Sequence, residues 1–535
     1  MSEATGILTP IQIRDKTIKD LRVRLENSGI KAEIKEVELR DEIDALKREL
    51  LAKDKIIAML QREIASLTAS NARLRPESGE ARSDLEGLRE ETRRLRSIID
   101  KNSSNSSKPP STNGFRKVPN PREKSQRPSG GQKGHPGHRL QLPSNLDALV
   151  AKGVAEVRVV DHTSGGDEYI SRWTIDARVR VIVTEHRFPK GAPLPKAMGN
   201  EVTYGDNIKA MTVLLSNEGI IAEERLSNLL AEFTEGAIHP SDATIESFLR
   251  QFSNSISGEL EAIEKDLLSG MVLHVDDTSM RCAQTLIYGE TGDKPILKTA
   301  EKTTFDATLR VYGNEFSSLF TVNPRKDKEG VDRDNVLPKY GGTLSHDHES
   351  KFYNYGTAHA TCGDHLSRDL NGLSELENCP WAGRARVFIK GMNKHKKADL
   401  AKNKNKKACD ARKFKEFSEQ YDALLADGWV AHGALRENEL GYKNLNAMLN
   451  RLHNYKDCYL LFMRDYKAPF TNNLAERDLR PSKTRQKVSG CFRSWEGLVT
   501  YAKTRSFIAT AKKRRFNLLH SISRALRGIP VFAAQ

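Results

Sequence analysis

Three acidic residues in this chain of 535 residues sit where chemistry could use them: Asp276 in HVDDTS, Asp347 in LSHDHES and Glu476 in NNLAERDLRP. The first two close apolar runs that read as strands, MVLHVDDTSM and GGTLSHDHES. The third falls near the start of a helix, where Asn473 and Glu476 have capping-box spacing. Three carboxylates placed this way can offer hard oxygen ligands to two Mg²⁺ ions about 3.5–4 Å apart, as in two-metal phosphoryl transfer. One ion would lower the pKa of an attacking water or hydroxyl, and the other would stabilise the leaving oxygen. Acids at strand ends are common, however. An ordinary surface pair, Glu476–Arg480 at i,i+4, is the competing account of the third.

The charge around Glu476 bears on that choice. Arg477, Arg480, Lys483, Arg485, Lys487 and Arg493 follow it, with Asp478 as the only other acid in residues 472–494. Two further basic stretches lie elsewhere. Residues 115–139, FRKVPNPREKSQRPSGGQKGHPGHR, read as an extended arm and include Lys133 and Arg139. Residues 384–417 are Lys-rich and include Lys394, Lys396 and Lys397. The net charge is +15, a property that speaks about partners rather than fold. Nucleic acid is the expected partner, and these cations, Arg477 apart, are the expected DNA-binding residues. No apolar run is long enough to span a bilayer and no signal-peptide pattern opens the chain, so a cytoplasmic, nucleoid-associated protein is expected. The six cysteines form no CxxC pair. His359, Cys362 and His365, spaced i, i+3, i+6 in HATCGDHLSRDL, would point apart on one helix. Zinc is therefore not expected.

The elements that must position these residues imply a multidomain α+β chain. Residues 1–100 form an oligomerisation region whose span 16–99 reads as helix with a leucine-zipper-like coiled coil. Ile57 and Ile64 repeat at one seam position, Leu60, Leu67 and Leu74 supply the second, and Asn71 falls on the first, where a buried Asn fixes register. Residues 101–140 are a basic, Ser-, Pro- and Gly-rich linker and arm. Residues 141–203 alternate as a small β module. Residues 204–262 hold short helices, helix-turn-helix-like beside the arm. Residues 263–505 read as strands then helices, a mixed α/β core with a basic helical insertion at about 384–455. Residues 506–535 are a basic C-terminal helix and tail.

The chain resembles the large transposase of the bacterial insertion-sequence family sixty-six. The resemblance rests on the zipper-like N-terminus, NSSNSSKPPS, GGQKGHPGH, HVDDTS, SHDHESKFYNY, HATCGDHLSRDL and NNLAERDLRPSKTRQKVSGCFRSWEG. It implies an RNase H-like core and a DDE transposase that binds the element's inverted-repeat ends, cleaves, and joins the freed 3′-OH to target DNA. It places the catalytic, metal-holding acids on Asp276, Asp347 and Glu476, with Asp277 where relatives have a neighbouring Glu. It implies two Mg²⁺ ions, with Mn²⁺ as a substitute, a homo-oligomer, and accessory proteins of the same element. Relatives commonly carry a Cys-rich, zinc-finger-like module where residues 140–203 have no Cys. The alternatives are an inactive DNA-binding derivative and a metal-dependent nuclease that cuts without joining.

Overall fold

The computed structural model describes residues 140–162, 170–191, 193–195, 200–283, 305–437 and 439–532. It also describes two short strands at 285–288 and 295–298, and isolated stretches before residue 97, chiefly 58–66. The chain divides into two units, Met1–Arg96 and Ser97–Gln535. In the first, residues 58–66 are helical, with Leu60 half-buried and Ile64 exposed. The other expected seam residues, Ile57, Leu67, Asn71 and Leu74, lie outside the described residues, as do Lys133 and Arg139 of the arm. Among the described residues no helix is long and apolar enough to cross a membrane.

The second unit begins with a one-and-a-half-turn helix, α1 (Leu146–Ala151). Among the described residues of 141–203, where a β module is expected, no strand pairs. Residues 154–162 and 170–188 run without strand pairing, and Val159, Val160, Trp173, Ile182 and Val183 are exposed. Alternation makes a strand only where a neighbour supplies the ladder, and none does here.

Four helices follow: α2 (Asp206–Asn217), α3 (Glu223–Phe233), α4 (Asp242–Ser255) and α5 (Ser257–Ser269). Ser241 caps α4, accepting from Thr244 N–H at 3.3 Å, as its sequence predicts. These helices are not a free-standing module. Ala210 and Val213 of α2, Phe252 of α4 and Ile263 of α5 share one core with Leu273 and Val275 of the sheet.

Behind them stands a five-stranded mixed sheet built from β1 (Val272–Cys282), β4 (Phe305–Gly313), β5 (Ser318–Asn323), β6 (Thr343–His346) and β7 (Ala358–Thr361). Its order is β5-β4-β1-β6-β7. β1 and β4, and β4 and β5, pair antiparallel, while β6 lies parallel to both β1 and β7. β2 (Thr285–Tyr288) and β3 (Pro295–Lys298) make a separate antiparallel pair. A short helix, α6 (Lys328–Asp334), connects β5 towards β6.

After β7 come α7 (Gly363–Leu376), α8 (Pro380–Lys402), α9 (Ala411–Gly433), α10 (Tyr442–Asn454) and α11 (Lys456–Arg464). They share a second core around Trp381, Tyr421, Leu449 and Leu460. The helices cross closely at Gly428, where an added Cβ would lie 2.4 Å from Leu449 Cδ2 and 2.7 Å from Trp381 Cε2. The inserted helices thus run from Pro380 to Arg464, wider than the sequence suggested. The chain returns through α12 (Asn473–Ser489), α13 (Trp495–Lys513) and α14 (Leu518–Leu526). The boundary expected at 505 falls inside α13. That helix packs on β5, where Thr510 and Ser506 hydroxyls accept from the Ser318 and Phe320 amides at 3.0 and 2.8 Å.

Candidate active site

Side chains alternate along β1, the central strand. Val275 belongs to the core with α2 and α5, and Asp277 shares its face. His274 and Asp276 face the other way, towards α12. There Val311, the β4 partner of Asp276, packs with Ala475 and Leu479 of α12. On the other side of β1 the parallel register pairs His274 with Ser345 of β6. The ladder stops at the His274–Ser345 pair, and Asp276 and Asp347, the latter just past the carboxyl end of β6, each lie two residues beyond it, close enough that the charge of Asp347 acts on Asp276.

Electrostatics there disfavour two charges. Burial holds the Asp276 carboxyl well above the usual range and the charge of Asp347 adds to this, while the Lys483 ammonium opposes it. Asp347 is pushed up to about 6, first by burial and then by Glu349. Asp276 Oδ1 accepts the Asp277 amide at 2.8 Å and Asp347 Oδ1 accepts the Glu349 amide at 3.3 Å.

Asp277 is occupied elsewhere. Its carboxylate meets Lys351 Nζ at 2.6 Å, Lys326 Nζ at 3.4 Å and Arg310 Nη2 at 3.5 Å, and Arg310 is fully buried against Asp334. Behind Asp347 the His346 ring donates to the Asp347 carbonyl and meets His359 Nδ1 at 3.2 Å. Burial keeps both rings neutral, His346 at about 3. Sequence reasoning missed Arg310 and Lys351; an Arg in the middle of the apolar run ATLRVYG was the available signal.

Glu476 stands in the first turn of α12. Its Oε1 lies 3.5 Å from His365 Nδ1 and 3.7 Å from Arg368 Nη2. It is buried with no hydrogen-bond partner among the described residues. The capping box does not form. Asn472, not Asn473, is the N-cap, and its side chain makes no capping bond. Instead Asn473 Nδ2 donates to Asp364 Oδ2 at 3.1 Å, and the Asn472 amide turns towards β1.

His359, Cys362 and His365 do not share a helix: the first lies on β7, the second caps α7 and the third is in its first turn. Cys362, His365 and Glu476 have ligand atoms within 4.8 Å of one another. Burial pushes the Cys362 thiol up to about 12, and its sulfur accepts the Asn472 amide at 3.3 Å.

The expected DNA-binding cations separate into two groups. Glu476, Arg480, Lys483 and Lys487 fall at i, i+4, i+7 and i+11, on one stripe of α12, and the three cations are exposed. Arg493, Lys394 and Lys397 are exposed as well. Lys396 is not available: it is buried, donates to the Ala468 carbonyl at 2.6 Å and is lowered to about 8 by burial. Arg485 is also committed internally, donating to the Ser216 carbonyl at 2.9 Å with its guanidinium over Phe492 and Tyr501.

Residues 201–500 match the Transposase IS66 family, and residues 30–141 match a family of unknown function, DUF6444. No curated protein matches. Among solved structures the chain is similar to "Crystal structure of the Mos1 Strand Transfer Complex", with 12% identity, 52% of this chain and 82% of that chain covered, and a TM-score of 0.11. It is also similar to "Crystal structure of the Mos1 mariner paired end complex with Mn", with 10% identity, the same coverage and a TM-score of 0.10. Superpositions that poor carry no argument about the site. The sequence match is different in kind: it begins just ahead of α2, ends within α13 and takes in more than half of the chain, so this protein belongs to the Transposase IS66 family.

Proposed function

We propose that this transposase is a DDE enzyme whose chemistry is carried by Asp276, Asp347 and Glu476. One observation carries the reading. Asp276 of β1 and Asp347, just past the end of the parallel strand β6, are both pushed towards protonation, the first partly by the charge of the second, and the helix bearing Glu476 packs over the same face. Acids concentrated in this way against burial need a cation to ionise together. The residues fit a divalent ion: the donors are hard oxygens, and Glu476 Oε1 is buried and lacks a hydrogen-bond partner among the described residues. A sheet antiparallel on one side of β1 and parallel on the other, with α12 on its face, supports the RNase H-like reading of the core.

Two Mg²⁺ ions, with Mn²⁺ as substitute, would supply the charge that lets one oxygen attack phosphorus while another leaves. Asp276, on the central strand between its partners, would hold both. Asp347 and Glu476 would each hold one. Arg480, Lys483 and Lys487 would grip phosphates of the bound strand and align the scissile bond beside the acids. Lys394, Lys397 and Arg493 would extend the grip on element ends and target DNA. The region 16–99, whose sequence reads as a coiled coil, would join copies of the chain, with accessory proteins of the element as further partners.

The test is incubation of the full chain with labelled element ends and Mg²⁺, scoring cleavage and joining separately. Cleavage followed by joining of the 3′-OH end is expected. Cleavage alone would make the protein a nuclease, and binding with neither would make it an inactive DNA-binding derivative.

A further inference from the structure

The N-cap of α12 is a fully buried Asn whose side chain does no capping. Asn472 Nδ2 donates to the Val275 carbonyl at 2.7 Å, and Asn472 Oδ1 lies 2.9 Å from His274 Nδ1. The first bond fixes the amide, because a carbonyl can only accept. Oδ1 is therefore the acceptor in the second, and His274 must carry its proton on Nδ1. The Asn472 carbonyl in turn accepts the Glu476 amide at 3.2 Å, and the Asn472 amide donates to Cys362 Sγ.

The consequence is geometric. Val275 is covalently next to Asp276, and Glu476 is hydrogen-bonded to Asn472 through its own backbone. The two acids come from positions 200 residues apart in the chain, yet the path between them runs through one side chain. Nothing else on the first turn of α12 bonds to β1 in this way among the described residues. A surface role or an ordinary cap would leave the amide facing its own helix.

We infer that Asn472, held by the Nδ1–H tautomer of His274, is the positioning residue that sets the distance between the Asp276 and Glu476 ligands. The inference rests on the reading of those acids as metal ligands. Asn472 touches no reacting atom. It fixes where the Glu476 turn begins relative to the strand that carries Asp276, much as outer-sphere partners orient ligands in other metal sites.

The experiment uses the full chain, with Mn²⁺ as the probe. Mn²⁺ affinity is followed by electron paramagnetic resonance, alongside binding of a short mixed-sequence duplex and thermal melting. Asn472→Ala is expected to melt cooperatively and bind the duplex as wild type, but to bind Mn²⁺ about ten-fold more weakly. His274→Phe, which removes only the donor, should shift affinity in the same direction by a smaller factor. His274→Asn places an amide N–H near the position of Nδ1 and should restore wild-type affinity, which a merely structural role would not predict. Wild-type Mn²⁺ affinity in Asn472→Ala, beside a loss in Glu476→Gln, would overturn the inference and leave the site intact. Wild-type affinity in Glu476→Gln would instead overturn the reading of the site. If Asn472→Ala does not fold, His274→Phe decides: unchanged Mn²⁺ affinity there overturns the inference.

Discussion

Replacing Asp347 with Asn should stabilise the metal-free protein at neutral pH while ending its activity. The Asp347 carboxyl is pushed from 3.8 to about 6 in the folded chain, by burial first and then by Glu349. In the unfolded chain it titrates at its ordinary value. Between these two values the folded state keeps a proton that the unfolded state has released, so stability falls as pH rises through that window. Above it the cost is complete, about 3 kcal/mol for a shift of roughly two pK units. Asn keeps the shape and has no charge to bury. Scaled by an unfolding entropy of roughly 2 cal/mol/K per residue, the gain is about 3 °C for a unit the size of Ser97–Gln535. The assay is a melt in chelator near pH 7 and again near pH 4. The variant should exceed wild type at the higher pH, and the gap should narrow at the lower. Added Mg²⁺ should raise the wild type more than the variant. A variant that melts below wild type near pH 7 in chelator would refute the reasoning, since Asp347 would then be a satisfied structural acid.

Four further outcomes are expected. Asp277→Asn should leave Mn²⁺ affinity close to wild type but destabilise the fold, by about 3 kcal/mol as judged by denaturant unfolding, because Arg310 and Lys351 lose a buried counter-charge. Arg480→Ala, Lys483→Ala and Lys487→Ala should each flatten the slope of log K against log salt for duplex DNA, by about 0.9 for every phosphate that is no longer neutralised. Lys396→Ala should leave that slope unchanged, because its ammonium is bonded inside the protein. Removing residues 1–100 should lower the mass seen in light scattering; an unchanged mass would place self-association elsewhere.

The acids were legible because strands announce themselves locally. The apolar run before Asp347 marked β6 and its end, whereas Asp276 lies inside β1, which continues to Cys282, and not at the strand end its apolar run suggested. Period-two alternation also separated Asp276 from Asp277, which the structure places on opposite faces of β1. Other features depend on distant partners that a local pattern does not contain. Residues 154–162 and 170–188 alternate like strands, but among the described residues no neighbour completes a ladder. Asn473 and Glu476 have the spacing of a capping box, but spacing does not reveal that the helix begins one residue earlier, at Asn472, whose side-chain amide is held by a His 198 residues away. Lys396 was within reach of sequence reasoning: Ala385, Ile389, Met392 and Lys396 lie on one helical stripe and all four are buried. Expecting every lysine of the stretch, Lys396 included, to face DNA overlooked that stripe. Pro380 likewise stands at the first position of α8, where it begins a helix, and would have moved the start of the insertion forward.

The central claim is that three carboxylates hold two divalent ions. Anomalous diffraction from crystals grown with Mn²⁺ tests it most directly. The account predicts two anomalous peaks about 3.5–4 Å apart, with an Asp276 oxygen on both and Asp347 and Glu476 on one each. A single peak among Cys362, His365 and Glu476, or no peak beside Asp276, would contradict it.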